Sequence, residues 1–175
     1  MRYLYFAYGS NLYVEQMKNR CPECEEISSA TLLGWKLEEV LYANITKSKN
    51  HTVYGALYSI SENDLNALDD YEGYPDFYNR RIVDVIDKNG LTQSAIVYTM
   101  TKDYKNSLKG KKYSDYYRAI CSAGASYWEI ENSFLIQWKS HYFLCSNLLF
   151  ILLGYFVKYM LGILHFFYIF FLENM

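Results

Sequence analysis

The chain has 175 residues, a length typical of one domain, and 51% of its residues are hydrophobic. Its formal net charge is −2, so the composition offers no case for nucleic-acid binding, which needs a basic patch, and it argues against binding to an anionic surface. Aromatic residues make up 19% of the sequence, including 20 tyrosines, which supply polar-tipped side chains to a core or a pocket.

The first half of the domain alternates between β-rich runs and breaks. Residues 2–8 are rich in Tyr, Leu and Phe and favour a strand. The break at residues 9–11 is followed by a short helical pattern at residues 12–20. Residues 30–41, interrupted by a glycine, and residues 53–60 predict two further strands.

A helix and a hairpin follow. Ser61 with Asp64 three residues later resembles a capping box, which predicts a helix running to about Tyr71 and stopping at Gly73. Two β-rich runs, 78–87 and 91–100, then flank an Asn-Gly turn signal and predict a hairpin.

A second capped helix completes the predicted domain. Ser114 is a plausible N-cap for a helix that continues through Cys121. Strands outnumber helices, so the sequence predicts an α+β fold, a small mixed and largely antiparallel β-barrel with flanking short helices.

The first candidate chemical feature is the turn after the first strand. Tyr8, Gly9, Ser10 and Asn11 form a segment of small or turn-prone residues. Successive backbone N–H groups in such a turn create a concavity suited to an α-carboxylate or phosphate. The alternative is a plain strand-to-helix turn in which Ser10 or Asn11 caps the helix.

The second feature is a carboxylate near the end of the first capped helix. Glu72 lies four residues after Leu68, so helical spacing places it on the apolar face. Burial, repulsion from Asp69 and the helix dipole would all raise its pKa, as general acid/base catalysis near pH 7 requires. The alternative is a solvated acid paired with Arg80 or Arg81.

Three tyrosines follow Glu72 in runs that should pack inward, namely Tyr78, Tyr98 and Tyr117. A buried tyrosine needs a partner for its hydroxyl, so one or more of them could bond Glu72 or a ligand. The alternative for each is a plain core or rim residue. No Ser-His-Asp order and no metal cluster is evident in the sequence.

The cysteines favour a reducing compartment. Cys21 and Cys24 form a C-x-x-C pair, but no second pair of ligands completes a zinc site. The pair is therefore interpreted as a loop or helix-end feature. The start of the sequence lacks an apolar leader pattern, and we therefore expect reduced thiols and a cytoplasmic location.

The chain changes character near residue 131, which predicts a domain at 1–131 and a hydrophobic tail at 132–175. After Glu131 the next acidic residue is Glu173. Residues 142–172 are long and apolar enough to span a bilayer, although Lys158 in their middle is costly there. A membrane anchor, an aberrant extension and a buried helix pair remain open for this tail.

Three segments together resemble the γ-glutamylcyclotransferase family. Residues 4–12, with the sequence LYFAYGSNL, look like its signature strand and loop. Residues 68–73, LDDYEG, resemble its catalytic helix end, and residues 113–120 resemble its later substrate-side helix. The resemblance covers roughly residues 2–125, and the chain departs from the family's pattern after about Ala123.

The resemblance implies a small barrel with flanking helices, no cofactor, and cleavage of a γ-glutamyl amide into 5-oxoproline and a free amino acid or amine. By motif position Glu72 matches the acid/base. The implied substrate-binding residues are Tyr5, Phe6, Ala7, Tyr8, Gly9, Ser10 and Asn11 in the loop, and Tyr78, Tyr98 and Tyr117 elsewhere. The implied partner is a small γ-glutamyl substrate.

Two other classes of function stay open. A non-catalytic module could bind the same γ-glutamyl or amino-acid ligand without turning it over. Alternatively, a membrane-anchored protein could use residues 142–172 as its functional part.

Overall fold

In the computed structural model of the protein, residues 1–130 are described, and the predicted tail at 132–175 lies outside them, including its apolar segment 142–172. The described strands are β1 (Arg2–Ala7), β2 (Glu25–Glu39), β3 (Ala43–Ser61), β4 (Tyr78–Asp87) and β5 (Thr92–Met100). They close into a barrel in the order β1-β3-β2-β4-β5. The described pairings are antiparallel except that of β1 with β5, which is parallel, so the predicted α+β barrel is confirmed.

The described helices are α1 (Val14–Arg20), α2 (Glu62–Glu72), α3 (Lys102–Ser107) and α4 (Asp115–Tyr127), and a short 3₁₀ turn, Ser10–Leu12, precedes α1. The helix predicted at residues 12–20 therefore begins two residues later than expected. The prediction missed α3, a six-residue helix whose N-cap hydroxyl, on Thr101, accepts from the Tyr104 amide.

Both ends of α2 are built as the sequence predicts. The Ser61 hydroxyl accepts from the Asp64 amide, and the Asp64 carboxylate accepts from the Ser61 amide, each at 3.1 Å. Gly73 ends the helix with a φ of 63°, a left-handed conformation that glycine adopts without a steric penalty. These two caps fix Glu72 as the last helical residue.

Strand β3 exceeds its predicted bounds at both ends, whereas β2 begins five residues earlier than predicted and ends two residues earlier. They pair from Glu25 opposite Ser59 to Glu39 opposite Ala43, with register shifts at Ile27, between Glu26 and Ser28, and at Gly34, between Leu33 and Trp35. Bulges of this kind bend a strand, which lets two long strands wrap around a small barrel. The predicted hairpin between β4 and β5 is present.

The core consists of two clusters that share strand β1. Tyr5 and Ala7 belong to one cluster, and Phe6 and Tyr8 belong to the other. This division follows from the alternation of side chains along a strand. It delivers the end of β1, and the turn after it, to a fixed position at the barrel rim.

The C-x-x-C pair is buried in the protein interior, where α1 ends. Cys21 ends α1, and Cys21, Cys24 and Cys121 are buried and free. Within residues 1–130 no group of three His, Cys, Asp or Glu side chains is arranged to hold a metal ion. Of the helices in this part of the chain, none has the length and apolarity to span a membrane.

Candidate active site

A cavity of about 290 Å³ lies at the barrel rim and collects most of the predicted site residues. Its lining consists of Tyr5, Tyr8, Gly9, Ser10, Asn11, Tyr42, Ala43, Tyr71, Glu72, Phe77, Tyr78, Tyr98, Tyr104 and Tyr117. The turn after β1, the end of α2 and the three later tyrosines therefore meet around one space.

Phe6 and Ala7, also predicted to bind substrate, are not among these lining residues. Phe6 follows Tyr5 along β1, so its ring packs into the second core cluster. Ala7 is fully buried in the first cluster. Both residues support the barrel behind the cavity.

The Glu72 carboxyl faces the turn through Asn11. The Asn11 side-chain amide donates to Glu72 Oε1 at 3.4 Å and to the Tyr5 hydroxyl at 2.8 Å. The Arg20 guanidinium donates to the Asn11 side-chain oxygen and to the Tyr71 hydroxyl. Asn11 is 4% exposed, so a buried amide orients the carboxyl.

The predicted upward shift of the Glu72 pKa is present. Burial raises the pKa from its ordinary value of 4.5 to about 7, although the positive charge of Arg20 and the hydrogen bond from Asn11 act in the opposite direction. Asp69, expected to add repulsion, is instead bound to the Tyr98 hydroxyl at 2.6 Å and paired with Arg80 at 3.3 Å. Arg80 therefore neutralises Asp69 rather than Glu72.

Because its pKa is raised, Glu72 should destabilise the folded state at neutral pH. The folded pKa lies above the unfolded one, so the penalty appears as pH rises from about 4.5 to 7 and is complete above 7. A difference of one pKa unit corresponds to about 1.36 kcal/mol. Because the Glu72 side chain is partly exposed, solvent screening reduces the penalty to about 1–2 kcal/mol. Glu72→Gln should raise the free energy of unfolding by this amount at pH 8 and leave it nearly unchanged at pH 4. Urea titrations at both values measure it, and an equal gain at both would assign the effect to packing.

The turn at residues 9–11 leaves amide hydrogens available. The Leu12 and Tyr13 amides donate to the Gly9 and Ser10 carbonyls at 3.0 and 3.1 Å. Within the described part of the chain, the amides of Gly9, Ser10 and Asn11 donate no hydrogen bond. Neither the 3₁₀ turn nor α1 has a side-chain cap, so the alternative of Ser10 or Asn11 as N-cap is wrong.

Gly9 is placed close to neighbouring groups. A Cβ on Gly9 would lie 3.0 Å from the Ala43 Cβ and 3.1 Å from the Tyr117 hydroxyl. Its φ of −119° is not left-handed, so the position calls for a small residue because of proximity rather than backbone strain.

The tyrosine hydroxyls are fixed by protein groups. Tyr8 donates to the Tyr98 carbonyl at 2.7 Å, and Tyr78 donates to the Ala43 carbonyl at 3.4 Å. The Tyr117 hydroxyl accepts from the Ala43 amide at 3.0 Å. Burial raises the pKa of each of these tyrosines, so they stay neutral. The group that holds Glu72 is Asn11 rather than a tyrosine.

Several residues at the site were not predicted from the sequence. They are Arg20, which orients Asn11, and the lining residues Tyr42, Ala43, Tyr71, Phe77 and Tyr104. Tyr71 directly precedes Glu72 in the chain, and this adjacency could have identified it as a site residue. Arg20 gave no signal of its own, because a basic residue in the last turn of a helix is ordinary.

Comparison with known proteins identifies relatives of this chain. The family model described as gamma-glutamyl cyclotransferase, AIG2-like, matches residues 5–119. Human gamma-glutamylcyclotransferase is 32% identical over 83 residues, which span 41% of this chain and 44% of the human protein, less than half the length of that relative.

Two solved structures are similar in fold. A gamma-glutamyl cyclotransferase structure has 26% sequence identity and a TM-score of 0.64, covering 73% of this chain and 80% of its own. An uncharacterized human protein has 26% identity and a TM-score of 0.67, covering 79% of this chain and 86% of its own. The predicted family resemblance is thus confirmed.

Proposed function

Because the chain belongs to the gamma-glutamyl cyclotransferase, AIG2-like family, we propose that it cyclises a γ-glutamyl amide to 5-oxoproline and releases a free amine or amino acid. The observation that carries this proposal is the placement of Glu72. Its carboxyl, with a pKa of about 7, lies 3.4 Å from the Asn11 amide, and both line the same cavity as the turn.

The substrate supplies its own nucleophile. Its α-amine attacks the γ-carbonyl, a bond from nitrogen to the γ-carbon forms, and the amide bond to the leaving nitrogen breaks. The enzyme has to hold a near-attack conformer and move protons, and such positioning can supply a large part of the rate. The available amides of Gly9, Ser10 and Asn11 are suited to the substrate's α-carboxylate.

Glu72 is proposed to move the protons. As a carboxylate it takes one from the α-ammonium, and as an acid it returns one to the leaving nitrogen. Two protons in all pass from the α-nitrogen to the leaving nitrogen, so 5-oxoproline keeps one N–H and the amine departs as ammonium. A group with a pKa of about 7 is present in both forms near neutral pH, as this exchange requires.

The direct test is detection of 5-oxoproline by mass spectrometry after incubation of the protein with a panel of γ-glutamyl amides. We expect release of 5-oxoproline in equal amount to the amine. Calorimetric binding of γ-glutamyl compounds without product would instead support the non-catalytic binding module.

The pH profile gives a separate prediction. Because the base form of Glu72 is needed to start the reaction, kcat/KM should rise with pH through about 7. The charge of Arg20 lowers the pKa of Glu72, so Arg20→Gln should move this limb to higher pH. A profile of kcat/KM against pH for both proteins measures the shift. A limb that stays in place, or moves to lower pH, would contradict the electrostatic role of Arg20.

A further inference from the structure

The mouth of the cavity carries an unusual set of exposed aromatic side chains. Tyr42, Tyr71 and Phe77 are 41%, 55% and 52% exposed, yet all three line the cavity. Tyr104, partly buried, lies beside them in the same lining. Large apolar side chains that gather at the edge of a pocket, rather than scattering over a surface, mark a place where a ligand is covered.

These rings form two pairs. The ring of Tyr42 meets Tyr117 edge-on with centroids 5.3 Å apart, and the ring of Phe77 lies against Tyr104 with centroids 4.8 Å apart. Paired aromatics hold one another in place, so little side-chain freedom remains to be lost when a third ring packs on them. The mouth is therefore a preorganised apolar surface.

The charges around the cavity also favour an apolar ligand group. Among the described lining residues, Glu72 has the one formally charged side chain, and no Lys or Arg is present. The Arg20 guanidinium is engaged with Asn11 and Tyr71. A carboxylate on the leaving half of a substrate would find no cation among these lining residues, whereas an apolar group would find aromatic rings.

On these grounds, and resting on the proposed cyclisation, we propose that the substrates are γ-glutamyl amides whose leaving amine carries a large apolar or aromatic group. Tyr42 and Phe77 are the residues that select this group. The γ-glutamyl half lies toward Glu72 and the turn, and the leaving half lies at the aromatic mouth, since both halves must share one cavity of about 290 Å³.

The experiment compares kcat/KM for 5-oxoproline release from γ-glutamyl-phenylalanine, γ-glutamyl-alanine and γ-glutamyl-phenethylamide. Aromatic contacts of this kind predict a preference of about tenfold for phenylalanine over alanine. The phenethylamide, which lacks the leaving carboxylate, should be used at least as well as γ-glutamyl-phenylalanine. A strong preference for the carboxylate-bearing substrate would overturn the uncharged-mouth model.

Variants locate the preference. Tyr42→Ala and Phe77→Ala should each reduce the ratio of the two kcat/KM values, phenylalanine over alanine, toward one. Phe77 also packs against Gly73, so Tyr42→Ala is the safer variant if Phe77→Ala fails to fold. The matched control is Tyr116→Ala, which removes a tyrosine that is 77% exposed and outside the cavity lining, and should leave both rates unchanged.

The outcomes separate the two proposals. Release of 5-oxoproline from all three substrates without preference for the large group would overturn the substrate class and leave the cyclisation standing. An unchanged ratio in both variants, where each is folded, would overturn the roles of Tyr42 and Phe77. If neither these three substrates nor any other γ-glutamyl amide yields 5-oxoproline, both proposals are overturned.

Discussion

Replacing Glu72 with Gln is expected to reduce 5-oxoproline release by about 10²–10⁴-fold, the usual contribution of a general acid/base. The amide of Gln has the shape of the carboxyl, and its oxygen can still accept from the Asn11 side chain. It cannot take a proton from an ammonium group at neutral pH. We therefore expect the loss in kcat, with little change in KM, because the cavity and its bound substrate are retained.

The matched control is Asp70→Asn, which removes an exposed carboxylate from the same helix, two residues earlier. It should retain full activity. Thermal unfolding and circular dichroism of both variants establish that each is folded. If folded Glu72→Gln kept more than about a tenth of the wild-type rate, a loss well short of the range for general acid/base catalysis, Glu72 would not be the proton-transfer group.

The features predicted well were those whose cause is local in the chain. The Ser61 cap depends on Asp64 three residues away, and the stop at Gly73 depends on a single left-handed residue. The placement of Glu72 on the inner side of α2 also follows from helical spacing alone. Each of these determinants is contained in a short window, so the sequence is sufficient.

The features missed depend on barrel closure. Arg20 reaches Asn11 and Tyr71, which is 51 residues away in the chain, and Tyr98 reaches Asp69 across 29 residues. Side-chain partners at such separations are set by how the closed barrel positions α1, α2 and β5 against one another, and no short window of sequence contains that information. The predicted repulsion between Asp69 and Glu72 failed for this reason, since the Arg80 that pairs with Asp69 comes from strand β4 and not from α2.

Substitution of Gly124 should give the second large effect, because helix α4 packs against the turn after β1 at this residue. A Cβ on Gly124 would lie 2.3 Å from the Leu12 carbonyl carbon and 2.4 Å from the Tyr13 nitrogen, both backbone atoms. The indole nitrogen of Trp128 donates to the Leu12 carbonyl at 3.0 Å, holding the same contact. Tyr117, on the same helix, lines the cavity. The distance between α4 and the turn therefore sets the shape of the site.

Gly124→Ala should accordingly destabilise the protein by about 1–3 kcal/mol, the cost of overpacking. The sign is opposite to helix propensity, which favours Ala over Gly by about 1 kcal/mol. Displacement of the turn should also lower kcat/KM by about 10–10²-fold, as misplacement by about an ångström does. Ala123→Gly, at the exposed neighbouring position, should destabilise the protein only by the difference in helix propensity, about 1 kcal/mol, and should retain full activity. Urea unfolding and 5-oxoproline release test both, and a Gly124→Ala protein more stable than wild type and fully active would show that α4 does not position the turn.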